Sequence, residues 1–95
     1  MLEKVKRKIN IFFDDEKTDS AISEMMERGK RFLLDVAGSE SLNFEEPGAE
    51  QELLLEYCLY DWNEKLAEFK KSYVEELNAL RQREQVKQYV FKETE

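Results

Sequence analysis

Cys58 is the only thiol in this chain, and there is no histidine. A thiol nucleophile needs exposure and a neighbouring base to become a thiolate. Cys58 stands four residues after Leu54 and four before Trp62 on an apolar stripe, which reads as core rather than as a nucleophile. Without histidine the commonest general base and the commonest zinc ligand are both missing. Asp14-Asp15-Glu16 gathers acidic oxygens of the kind that hold a divalent cation. The spacing and the glycine of a calcium-binding loop are absent, so the stretch reads as an acidic turn. Lys4, Lys6, Arg7 and Lys8 form a basic cluster. It could meet phosphate, but a solvated helix face with cations near its C-terminal end is the plainer reading. The other carboxylates alternate with Lys and Arg at helical spacing, as in Glu64, Glu68 and Lys71, which is ordinary helix-surface patterning. No glycine-rich phosphate loop occurs. The expectation is a protein that is not an enzyme and takes no metal or cofactor.

Positioning then falls to helices. From Leu54 the apolar residues Cys58, Trp62, Leu66, Phe69, Tyr73, Leu77 and Leu80 recur at steps of three or four. The mean step is roughly 3.7 residues, one face of an α-helix. The front of this run is apolar almost all round, since Leu53, Leu55, Tyr57, Leu59 and Tyr60 flank the stripe. Such a segment must be covered on every side, so it belongs at the centre of a bundle or an assembly, with the rear projecting. Ser72-Tyr73-Val74-Glu75 matches a capping box. The stripe passes through it in phase with no Pro or Gly, so one helix over about 49–84, unbroken or mildly bent, is expected in preference to a turn near Lys70–Ser72 with a separate last helix starting there.

Upstream, Leu2, Val5, Ile9 and Phe12 predict a short helix over roughly 2–10, with Ile9–Phe13 equally able to run extended. A second helix is expected from about Ser20 to Ala37, capped by Asp19. Its apolar face carries Ile22, Met25, Met26, Phe32, Leu33, Val36 and Ala37, read as core. Gly29 shares that face, where a missing side chain admits a close neighbour. Gly38 ends the helix. Residues 39–48 show no period and hold the only proline, Pro47. Within this loop Leu42 and Phe44 either tuck over the core or meet a neighbour. After Arg83 the chain turns polar and then reaches Tyr89-Val90-Phe91, an apolar cluster that frays or docks.

The 95 residues suit one all-α domain, a small three- to four-helix bundle organised on the long C-terminal helix. A chain of this size buries about two-thirds of its unfolded surface, which supports a small core but no deep enclosed site. The expected core includes Met26, Phe32, Leu54, Cys58, Trp62, Leu66 and Phe69. A net charge of −7 opposes general binding to nucleic acid. A lone cysteine suits a reducing cytoplasm, and no apolar run approaches the ~20 residues of a membrane span. A soluble, unexported protein is expected.

The order of elements carries a resemblance. A short helix runs into Ile9-Asn10-Ile11-Phe12-Phe13-Asp14-Asp15-Glu16. A second opens on Asp19 with Ile22, Met26 and the small Gly29. A loop with Pro47 follows, and then the long helix with Phe69, Tyr73, Glu76-Leu77, Leu80-Arg81 and Gln82. Across most of residues 1–83 this resembles the small tailed-phage and prophage head–tail connector proteins, the DNA-packaging adaptors. The resemblance implies a ring of copies beneath the portal, joining it to the tail-side component and located in the host cytoplasm during assembly and then in the virion. DNA would pass through the lumen without sequence-specific contact. It makes 1–83 the connector-like domain and 84–95 a tail ordered on assembly, with Phe44, Tyr89, Val90 and Phe91 meeting neighbouring subunits or the portal. The alternative reading is a small helical module that dimerises through the front of its long helix.

Overall fold

Five helices follow one another along the chain: α1 (Leu2–Lys8), α2 (Glu16–Ala37), α3 (Ala49–Trp62), α4 (Leu66–Ser72) and α5 (Val74–Glu93). The computed structural model describes residues 1–93, and their side chains as far as Tyr89. Among these residues there is no strand, and no helix is long and apolar enough to cross a membrane.

The all-round apolar front of the long run becomes α3, which touches each of the other four helices. Leu53, Leu54, Tyr57 and Cys58 are buried there against Ile22, Met25, Met26 and Leu33 of α2. The closest approach is at Gly29, where an added Cβ would stand 2.8 Å from Leu54 Cδ1 and from Tyr57 Cδ1. The small residue on α2 is therefore a seat for two α3 side chains.

The expectation of one unbroken helix over 49–84 is corrected. Three helix ends use the same device, in which the residue past the helix turns left-handed and two amides reach back to its last carbonyls. At α2 this residue is Gly38, with φ 64°. At α1 it is Asn10 (φ 63°), and Ile11 N donates to Lys6 O at 2.8 Å. At α3 it is Glu64 (φ 58°), with Glu64 N donating to Asp61 O at 3.0 Å and Lys65 N to Tyr60 O at 2.8 Å. Glutamate carries no sequence signal for this conformation, because its Cβ disfavours it. The turn reverses the chain and seats α4 against α3. By contrast, the junction near Ser72 is mild. Tyr73 N still donates to Phe69 O (3.0 Å) and Leu77 N to Tyr73 O (2.9 Å), so the i→i−4 ladder crosses it.

Phe69 anchors the folded-back arm. It is 0% exposed and its ring lies 5.1–6.2 Å from those of Phe32, Tyr57, Tyr60 and Tyr73. The arm continues as α5, which packs on α2 through Leu77 and Leu80 rather than projecting. Gln88 Nε2, on the part of α5 past residue 83, donates to Gly38 O at 2.8 Å. Trp62, expected in the core, is 38% exposed, because the chain turns away immediately after it and leaves its ring at the edge.

The second helix begins one turn earlier than expected. Asp15, not Asp19, is its cap, and Asp15 Oδ2 accepts from Thr18 N at 2.9 Å and Thr18 Oγ1 at 2.6 Å. These two bonds hold the Asp15 carboxyl below its usual 3.8. Asp19 serves Lys6 instead.

Candidate functional site

The features that drew chemical interest in the sequence are occupied by the fold. Lys6, read as part of a solvated face, is only 2% exposed. Its Nζ lies 2.9 Å from Asp14 Oδ1 and 3.0 Å from Asp19 Oδ1. The bond from Asp14, then that of Asp19, raises the Lys6 ammonium above 10.5 against the opposing effect of burial. Lys4 Nζ donates to Gln51 Oε1 (3.1 Å), and Lys8 pairs with Glu56 at 2.6 Å. The basic cluster thus ties α1 to α3 and to the acidic turn. The acidic turn in turn spends its oxygens on Lys6 and Thr18. Among the described residues no group of three His, Cys, Asp or Glu is placed to hold a metal ion. Burial first, then the charge of Asp61, pushes the Cys58 thiol up to about 12. It therefore stays a thiol at neutral pH and lacks nucleophilic character.

One opening that could take a ligand is a groove between α3 and α5, of about 350 Å³. Leu53, Tyr73, Ala79 and Leu80 form its apolar floor. Glu52, Glu56 and Glu76 stand on its rim, with Arg83 at one end. The arrangement follows from the break at Glu64. With α4 folded back, α5 lies on α2 and meets α3 only lightly, so a furrow stays open between them. Arg83 Nη2 bridges the furrow to Glu50 Oε1 at 2.6 Å, and its Nε reaches Glu84 Oε2 at 3.3 Å. Burial raises the Glu84 carboxyl, but Lys87 (3.1 Å) and Arg83 outweigh it and leave it below 4.5. Desolvation, then the nearby Glu56 carboxylate, raises the Tyr73 phenol to about 12. Tyr73 stays neutral at physiological pH. The groove holds no nucleophile beside a base. Chemically it suits an apolar side chain whose neighbour carries a positive charge.

Of the expected contact residues, Phe44 is corrected. It is 6% exposed, packed in the core, and its carbonyl accepts from Gln51 Nε2 at 3.0 Å. The loop tucks inward because Gln51, itself buried, joins it to Lys4 of α1. Tyr89 is 64% exposed on α5, near exposed Val86. Val90 and Phe91 fall within α5, but their side chains lie outside the described residues. Met26, Leu54, Cys58 and Phe69 are buried, while Phe32 and Leu66 are half-buried against the core. The groove residues Tyr73, Ala79 and Arg83 were not singled out from the sequence as a site. Their meeting with Leu53 and Glu50 depends on a fold-back that no spacing rule signals.

Comparison with family models, with curated proteins and with solved structures finds no match to this chain.

Proposed function

We infer that the protein is a non-catalytic assembly subunit of the head–tail connector kind, in which the end of α5 of one copy docks in the α3–α5 groove of the next. The observation that carries this is the carboxylate-rimmed apolar groove itself. Charge complementarity supports the occupant: exposed Tyr89 and the apolar Val90-Phe91 sequence lie between Lys87 and Lys92, with exposed Val86 just before them, and these lysines suit the rim of Glu52, Glu56 and Glu76. A copy's own α5 forms one wall of its groove and runs on past it, so the docked end comes from another copy. Groove and tail are different surfaces, so the contact is heterologous, and closing it by rotation gives a ring. In the connector reading that ring sits on the portal and DNA passes through an acidic lumen to which it does not adhere.

Magnitudes bear on how assembly proceeds. Docking buries on the order of 350 Å², worth ~9 kcal/mol at ~25 cal/mol/Å². Lost translational and rotational freedom costs about 4–15 kcal/mol, so one such contact is weak alone. Assembly should therefore be weak at micromolar protein and rise steeply with concentration. The alternative, a homodimer packed through the front of α3, has less surface to use, since Leu53, Leu54, Tyr57 and Cys58 are already covered.

Sedimentation velocity from micromolar to millimolar protein tests the reading. Growth toward a closed oligomer larger than a dimer is expected, and Val86→Glu with Tyr89→Glu should abolish it at unchanged helicity. A wild-type chain that stays monomeric at millimolar concentration, or a charged variant that assembles equally well, removes the proposal.

A further inference from the structure

The turn at Asn63–Lys65 places a residue poorly suited to it in the left-handed region. Glu64 holds φ 58°, a conformation that a residue with a Cβ adopts at a cost. Nothing in the surrounding sequence requires a turn, for residues 49–93 contain neither Pro nor Gly. The apolar phase also runs through it undisturbed, with Cys58, Trp62, Leu66 and Phe69 at steps of four, four and three. Local preference thus favours a continuous helix where the tertiary fold imposes a reversal. Short connections under such conflict invite exchange of segments between copies.

We propose that the Asn63–Lys65 turn is a hinge whose straightening fuses α3 to α4 and hands the α4–α5 arm to a second copy of this chain, giving a reciprocally swapped dimer. The arm can move as one body, because the bonds from Tyr73 N to Phe69 O and from Leu77 N to Tyr73 O span its internal junction. Its contacts with the rest of the fold are all available from a partner's arm. These include Phe69 against Phe32 and Tyr57, Arg83 with Glu50, and Gln88 with Gly38. The two forms then differ mainly at the hinge. Straightening exchanges the two backbone bonds of Glu64 and Lys65 for helical ones and releases Glu64 from the left-handed region. A second observation points the same way. The exposed Trp62 and the half-buried Leu66 flank the hinge on the apolar phase. In a reciprocal swap the two hinges lie together at the two-fold axis, where these side chains of both copies cover one another. The groove proposal is separate, since it uses the outer end of α5 and leaves the hinge untouched.

The experiment is run in the Val86→Glu, Tyr89→Glu background, so ring assembly cannot be mistaken for swapping. Protein is refolded from denaturant at micromolar to millimolar concentration and sized by light scattering. Asn63→Ala with Glu64→Ala, which favours the straight helix, should tighten dimerisation at least about tenfold, and Glu64→Gly, which relaxes the turn, should weaken it by a similar factor. Trp62 emission should shift to shorter wavelength in the dimer alone. Spin labels at Glu52→Cys and Ala79→Cys, in a Cys58→Ala chain diluted with unlabelled protein, report the path of one chain. These positions line one groove in the monomer. They should lie roughly 40 Å apart in the swapped form, at about 1.5 Å per helical residue. An alanine pair that stays monomeric at millimolar concentration, a glycine variant that dimerises as well as the alanine pair, or a dimer keeping the short intrachain distance would each overturn the proposal.

Discussion

Gly29 and Glu64 hold opposite positions with respect to their local preferences. Gly29 lies inside α2, where alanine would gain about 1 kcal/mol of helix propensity. Its added Cβ would meet Leu54 and Tyr57 at 2.8 Å, both buried and confined. Overpacking of that kind costs about 1–3 kcal/mol, so the clash should win. Gly29→Ala is expected to lower stability by up to about 2 kcal/mol net in urea denaturation, and a raised midpoint would show that α2 and α3 can part at no cost. At Glu64 the preference runs the other way. Replacing a left-handed glutamate by glycine removes a cost of roughly 1–2 kcal/mol, partly offset by the entropy glycine loses on folding. Glu64→Gly should raise monomer stability by about 0.5–1 kcal/mol. A fall in melting temperature would contradict the reading of this turn.

Among the elements, α4 depends most on a single side chain. It is short, and Phe69 is its only buried residue. Helices of this length are not stable by themselves, so α4 persists because Phe69 fills the space among Phe32, Tyr57, Tyr60 and Tyr73. Lys70 Nζ, 5.2 Å from the Phe32 ring, adds a cation–π contact at the surface. Phe69→Ala should cost about 3–5 kcal/mol and loosen the α4–α5 arm before the α2–α3 pair, seen as faster amide exchange in Leu77 and Leu80 than in Leu33 and Leu54. Uniform loss of protection across α2, α3 and α5 would mean the arm is not a separate unit.

For the molecule as a whole, the titration of buried groups sets an alkaline limit. Cys58 rises from 9.0 to about 12 and Tyr73 from 10.0 to about 12, burial being the first cause for each. Tyr57 is raised from 10.0 by burial and Lys6 from 10.5 by Asp14 and Asp19. All four bind their protons more tightly when folded. Between the unfolded and folded values the unfolded chain therefore carries fewer protons, and stability falls as pH rises. Below about pH 9 these contributions are intact. The decline should begin near pH 9 with Cys58 and steepen above about pH 10 as the tyrosines and Lys6 join. Denaturation curves across that range check it, and Cys58→Ala should move the onset up to about pH 10. An onset unmoved by that substitution would show that the thiol takes no part. With a charge of −7 and Lys4, Lys6 and Lys8 engaged inside the fold, duplex DNA should show no binding at physiological salt by anisotropy.

Periodicity was enough for the all-α class, for the buried faces at Ile22, Leu33, Leu54 and Cys58, and for the central place of the segment that became α3. These are local properties, since which residues share a face of a helix depends only on a repeat near 3.6. Gly29 and Gly38 were legible for the same reason, each being the residue type its backbone or neighbour needs. The reversal at Glu64 was not legible, because its sequence reads as helix and only the gain from burying Phe69, Leu77 and Leu80 outweighs that preference. The exposure of Trp62 and the groove followed from it, while Phe44 and Lys6 are buried by partners distant in sequence or in a neighbouring turn. Arg83 meets Glu50, and Leu53 lies opposite Ala79, across distances in sequence that carry no pattern. Local chemistry selects helices, but which of them fold back on one another is decided by the sum of many weak long-range contacts, and that sum exists only in three dimensions.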